Sequence, residues 1–162
     1  MMTTRKSALV GVLLIMLFSN LPAETQSSAQ LSDQELLERA RAIHQKILTL
    51  DTHCDTAMRL VRGNWNPAER HDPDSPGAGK IDLPRMKEGG LDAEFFAAFV
   101  GQGPRTAQGY QTARQITESL VEAVKKMVVA NDRLIGLAFN PEDAYKFKKQ
   151  GKLTAFLGIE NG

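Results

Sequence analysis

Leu153-Thr154-Ala155-Phe156-Leu157-Gly158-Ile159-Glu160 carries no charge until its last residue and is mostly apolar before it. Its content reads as a buried strand over Leu153–Ile159 that ends on a carboxylate. Alternation puts Phe156, Gly158 and Glu160 on one face, and Leu157 and Ile159 on the other. Just upstream, Asn140-Pro141 offers an N-cap and a proline at the first helical position. That helix runs to about Gln150, with Gly151 as its stop, and its Lys146-Phe147-Lys148-Lys149 end reads as a solvated terminus favoured by the helix dipole. Leu134–Phe139 is a short strand candidate. Before it lies a long amphipathic helix, Ala107–Ala130, with Ile116, Leu120, Val124, Met127 and Val128 as its buried face.

Leu91–Val100 (LDAEFFAAFV) reads as a second buried strand with Phe95 and Phe96 in the core, although periodicity alone fits a helix too. Ile81–Gly90 is a short helical turn closed by glycine. Residues 62–84, rich in Gly, Pro, Asn and Asp, form a long surface loop of the kind that is often functional or mobile. His71 in that loop is expected to be solvated, and Trp65 either lines a pocket or anchors the loop. Ile47–Asp51 reads as another buried strand. Its preceding helix opens at Ser32-Asp33-Gln34-Glu35, a capping box, and places Leu36, Leu37, Ala40, Ile43 and Ile47 on one apolar face, with His44 on the flank.

Strands separated by helices imply a parallel α/β arrangement. No internal repeat or low-complexity tract interrupts it. The first and last main strands end in residues that can do chemistry, as in a (β/α)8 barrel, where the site lies at the C-terminal ends of the strands. Such a barrel takes about 250 residues. The expectation is the N-terminal portion of one, over residues 32–162.

Ahead of that domain, Arg5 and Lys6 precede an uncharged apolar run, Ala8–Phe18, and a small residue at Ala23. This is the pattern of a secretory signal peptide over residues 1–23, followed by a polar linker over 24–31. The run is short for a membrane anchor of about 20 residues. The exported chain would be periplasmic or extracellular, with membrane association left open. Removing residues 1–23 leaves 18 basic and 19 acidic residues. A chain so near neutrality lacks the basic stripe of a nucleic-acid binder. Cys54 is the only cysteine, so it either lies buried as a small hydrophobe or pairs outside this chain.

Two places carry candidate chemistry. In His53-Cys54-Asp55, an extended backbone turns His53 and Asp55 to one face and Cys54 to the other. An imidazole nitrogen and a carboxylate oxygen at a strand end suit Zn²⁺, which accepts N and O ligands at about 2.0–2.2 Å. A bare His-x-Asp is often merely structural. Glu160, at the mouth of an apolar strand, is costly without a partner, and from spacing alone it is either a ligand or a salt-bridged strand end. There is no phosphate-binding glycine loop, no cysteine-pair zinc motif and no Gly-x-Ser-x-Gly elbow.

Three blocks together are far more specific. Asp51-Thr52-His53-Cys54-Asp55, then Ile81–Gly90 leading into Ala93-Glu94-Phe95-Phe96, then Gly151-Lys152-Leu153 leading into Gly158-Ile159-Glu160-Asn161-Gly162, resemble the start of a membrane (renal) dipeptidase, peptidase family M19. The resemblance implies a (β/α)8 barrel that hydrolyses dipeptides through two zinc ions. His53 and Asp55 would hold one ion and Glu160 would bridge both. Two further histidines of the family's second zinc site, and its later substrate and proton-transfer residues, would lie beyond Gly162, so no catalytic residue is assigned within this chain. By the same resemblance homodimers are expected. A site with this ligand set binds at most one metal weakly, and no useful hydrolysis is expected from residues 24–162 alone. Two other readings stay open: a non-catalytic remnant or binding fragment, and a different metal-dependent amidohydrolase-like barrel. The Glu160 block argues against the second of these, since many such barrels use a bridging lysine.

Overall fold

The structure, a computed structural model, describes residues 31–161. The expected leader and almost all of the linker lie outside the described residues. The chain divides into two compact units, Met1–Leu36 and Leu37–Gly162.

In the first unit the capping box forms: Glu35 accepts from the Ser32 amide at 2.8 Å, and Ser32 Oγ accepts from the Glu35 amide at 3.3 Å. Helix α1 spans Asp33–Lys46, so that from Leu37 onward it belongs to the second unit, and it buries no residue. Its expected apolar face is present but uncovered: Leu37 and Ile43, with Ile47 just past the helix, are 50%, 51% and 48% exposed. His44 does hold to the fold, with Nε2 3.0 Å from the Gly90 carbonyl oxygen.

The second unit is built on four parallel strands, β1 (Leu50–Cys54), β2 (Ala93–Phe99), β3 (Ile135–Leu137) and β4 (Leu153–Glu160), in the order β1-β2-β4-β3. Between them run α2 (Thr56–Arg62), α3 (Leu83–Gly89), α4 (Ala107–Ala130) and α5 (Pro141–Lys149). β1 starts three residues later than expected, because pairing begins at Leu50 opposite Ala93. Thr49 is instead committed to Asp92: its amide donates to Oδ2 at 2.9 Å, and its hydroxyl oxygen accepts from the Asp92 amide at 2.8 Å.

Lys148 reaches the same Asp92 carboxylate at 2.6 Å, so it is not a free solvated charge. Burial opposes ionisation of Asp92, but hydrogen bonds from Lys148 and Thr49 outweigh it and hold its pKa below the ordinary 3.8. Asp92→Ala is therefore expected to cost about 1–3 kcal/mol in urea unfolding. With the native pKa lowered, that contribution is complete above the ordinary value and is lost as pH falls through the native one. A cost that stays the same at pH 2 and pH 7 would show that the carboxylate's charge plays no part.

The core lies on one side of the sheet. Phe96 and Ala98 of β2 and Leu153 and Ala155 of β4 meet Leu83 and Met86 of α3 and Leu120, Val124 and Met127 of α4. Ile116, expected in that core, is 42% exposed. A helix of 24 residues is about 36 Å long while a strand of 7 covers about 23 Å, so one end of α4 overhangs the sheet. β3 stops before Phe139, which is 82% exposed. The Phe139 amide has already turned to donate to Asp143 Oδ2 at 3.0 Å, at the start of α5. Gly136 is needed where it sits, since a Cβ there would lie 2.4 Å from the Phe147 ring of α5.

Candidate metal centre

β1 and β4 deliver their last side chains to the same end of the sheet. β4 is held in register with β2 along its whole length, so that Glu160 sits opposite Phe99. β1 is different. Asp51 pairs with Glu94 and Cys54 with Phe96, so β1 carries one extra residue in that interval. A bulge of this kind re-aims side chains, and bulges recur beside functional sites. Asp51 Oδ1 accepts from the His53 amide at 3.1 Å, inside the bulge.

His53 and Asp55 do converge, while Cys54 turns into the core at 8% exposure. The cause is not the continuous extended strand that the sequence suggests. At Asp55 the backbone has φ −87° and ψ 15°, and the chain already enters α2. Asp55 is the N-cap residue of that helix yet makes no side-chain capping bond. Its carboxylate faces His53 instead, with Oδ1 3.4 Å from Nε2.

Glu160 completes the group, its Oε2 also 3.4 Å from His53 Nε2. Ligand atoms of the three residues lie within 4.8 Å of one another, and all three residues are exposed. A separation of 3.4 Å is long for a charged hydrogen bond, which closes to about 2.7–2.9 Å. It is close to the edge of a tetrahedron whose corners lie about 2.0–2.1 Å from a central ion, an edge of about 3.3 Å. The donor set, one nitrogen and two carboxylate oxygens, suits the same kind of ion.

Asn161 follows the last of these residues in the left-handed region, at φ 65°. Asparagine tolerates that region better than most side chains. Here its side chain also donates to the Val100 carbonyl at 2.8 Å and accepts from Gln102, tying the end of β4 to the end of β2. Asn161→Ala should cost about 1–2 kcal/mol in thermal or urea unfolding, and Asn161→Gly less, because glycine removes the backbone strain. Equal costs would show that the two hydrogen bonds, not the backbone conformation, matter there.

Two features escaped the sequence reading. Glu94, within a strand read as apolar, is fully buried, and neither carboxylate oxygen has a hydrogen-bond partner among the described residues. Burial, and then the Asp51 charge, push its pKa up to about 7. Burial likewise pushes the Cys54 thiol up to about 12, which leaves it an unreactive protonated thiol at neutral pH. The signal for Glu94 was its place in the alternation with Phe96 and Ala98.

The second is the order in the 63–82 loop. Trp65 and His71 stack at a centroid distance of 4.9 Å, and Trp65 Nε1 donates to the Ala78 carbonyl at 3.2 Å. His71, expected to be solvated, instead donates its amide to Asp82 at 2.9 Å. Asp82 is the N-cap of α3, and Arg85 donates to it from both amide and guanidinium, at 2.8 and 2.7 Å. Burial works against the Asp82 charge, but the amides of Arg85 and His71 and the Arg85 guanidinium together hold its pKa below the ordinary value.

The family model described as "Membrane dipeptidase (Peptidase family M19)" matches residues 37–162. Among curated proteins, the dipeptidase ataJ of Aspergillus terreus is 22% identical over 138 residues, covering 82% of this chain and 33% of its own. Among solved structures, the probable dipeptidase PvdM of Pseudomonas aeruginosa superposes with a TM-score of 0.58 at 21% identity, over 79% of this chain and 32% of that one. A Rhodobacter sphaeroides metallopeptidase, solved with a phosphinate mimic of the dipeptide L-Ala-D-Ala, superposes with a TM-score of 0.54 at 22% identity, over 70% of this chain and 38% of that one. The chain thus spans about a third of the length of these relatives. Its parallel α/β unit has the fold of the N-terminal portion of their TIM-type barrel, and the chain belongs to the membrane dipeptidase family, M19.

Proposed function

We propose that this chain provides the first-ion half of a binuclear zinc site that hydrolyses dipeptides. The observation that carries the reading is the pair of 3.4 Å separations that set Asp55 and Glu160 around His53 Nε2. His53 and Asp55 would hold one zinc ion, and Glu160 would reach towards another. Bound there, zinc supplies a polarised scissile carbonyl and a water acidic enough to act as a nucleophile near neutral pH. The chain's own part is to orient. The Asp51 carboxylate fixes the His53 backbone through its amide, and the Asn161 bridge fixes the strand end that carries Glu160.

Export is part of the same proposal, supported by the apolar run Ala8–Phe18 behind Arg5 and Lys6. Among the described residues no helix is long and apolar enough to cross a membrane.

The test is an NMR titration of the chain with a phosphinate mimic of a dipeptide, before and after zinc is added. Binding that appears only with zinc is expected. Binding of equal strength to chelator-treated protein would sink the metal-centred reading. Residues 24–162 alone are expected to show no useful hydrolysis, and zinc-dependent turnover that His53→Ala abolishes would overturn that part.

A further inference from the structure

A cleft of about 750 Å³ opens beside the metal ligands, with His53 and Asp55 in one wall and α2 and the 73–81 segment forming the others. Its charge is lopsided. Arg59, Arg62, Lys80 and Arg85 line it, against Asp51 and Asp55. Arg85 is spent on the buried Asp82 carboxylate, and Asp55 belongs to the metal group. Three cations then face one carboxylate, in a chain whose formal net charge is only +1.

The two walls that bear Arg59 and Lys80 are tied to each other before any ligand arrives. Arg59 donates to the Gly77 carbonyl and lies 5.7 Å over the Trp65 ring. Trp65 bonds Ala78, and Arg85 donates to the Gly79 carbonyl at 3.0 Å, so both residues immediately before Lys80 are fixed. Gly79 is itself required: its φ is +79°, and a Cβ there would stand 3.1 Å from Arg59 Nε. Arg59 and the backbone leading into Lys80 therefore lose little freedom when a ligand binds, which is where preformed sites gain affinity.

We propose that this cleft is a subsite for an anionic group of the substrate, so that dipeptides with an acidic side chain are preferred over their neutral isosteres. The inference rests on the dipeptidase reading above. Arg62 and Lys80, both exposed, are the residues that meet the anion. Arg59, held by Gly77 and Trp65, adds its charge from a fixed position.

The experiment compares phosphinate mimics of Ala-Glu and Ala-Gln, which differ by one charge at nearly constant shape, in NMR titrations of the zinc-loaded chain. The acidic mimic should bind about 5–10-fold more tightly at low ionic strength, and the margin should shrink at high salt as surface charges are screened. The double variant Arg62→Gln/Lys80→Gln should lose that margin while keeping its affinity for the Ala-Gln mimic. Equal zinc-dependent binding of both mimics overturns the anionic subsite and leaves the dipeptidase reading intact. Failure of both mimics to bind the zinc-loaded chain overturns the two together. A margin that survives in the double variant also overturns the assignment to this cleft.

Discussion

Replacing His53 with alanine is expected to lower the chain's affinity for zinc by at least about 100-fold, beyond the 10–100-fold typical of removing an outer-shell partner. His53 Nε2 is the only nitrogen in the group and stands 3.4 Å from each of the two carboxylates. Without it, two oxygens with exposed side chains remain, and water competes for the ion on equal terms. Competition with a chromophoric chelator measures the loss directly. Asp51→Asn is the informative control, since the amide oxygen can still accept from the His53 amide; it should change zinc affinity far less. Unfolding in urea without metal should be nearly unchanged in His53→Ala, because the side chain is about half exposed. Zinc affinity equal to that of the parent chain would remove the proposed centre, whatever the family's chemistry elsewhere.

How much of this could be read from residues alone depended on how local the cause was. The end of α3 and the start of α5 were legible because Gly90 and Asn140 act within one helical turn of themselves, whereas the start of α3 at Asp82 was not read. β1 was misplaced because its start is set by Asp92, more than forty residues away, which claims Thr49. α2 went unread for a related reason. An aspartate does stand at its N-cap, but Asp55 was read as the end of an extended strand, and in the structure its side chain makes no capping bond and faces His53 instead. Spacing alone left His53, Asp55 and Glu160 open, and only the family resemblance joined them as a set; in the structure the ends of β1 and β4 bring ligand atoms of the three within 4.8 Å of one another. The 63–82 loop looked loose in composition. Its order comes from contacts such as His71 to Asp82 and Arg59 to Gly77, which no local pattern announces.

Glu94→Gln is expected to stabilise the chain at neutral and alkaline pH and to do almost nothing at pH 4. Burial raises the Glu94 pKa from 4.5 to about 7. A carboxyl whose native pKa lies above its unfolded value binds its proton more tightly in the folded state. Below about 4.5 both states hold the proton, and the site costs nothing through ionisation. Between 4.5 and about 7 the unfolded chain releases it first, so stability falls as pH rises. Above that window both states are ionised, and the full penalty of a buried charge remains. At about 1.4 kcal/mol per pKa unit the penalty approaches about 3 kcal/mol. Glutamine has the same shape and no charge, so it removes this slope. It keeps the cost of burying polar atoms without partners, which the protonated acid bears as well. Urea unfolding of the metal-free pair should therefore show the variant ahead by about 2–3 kcal/mol at pH 8 and level with the parent at pH 4. A difference that does not change with pH would mean that Glu94 titrates in the fold as it does in the unfolded chain. In that case the neighbouring Cys54 thiol and His53 would have to offset the whole cost of its burial, although no hydrogen bond of ordinary geometry reaches either carboxylate oxygen among the described residues.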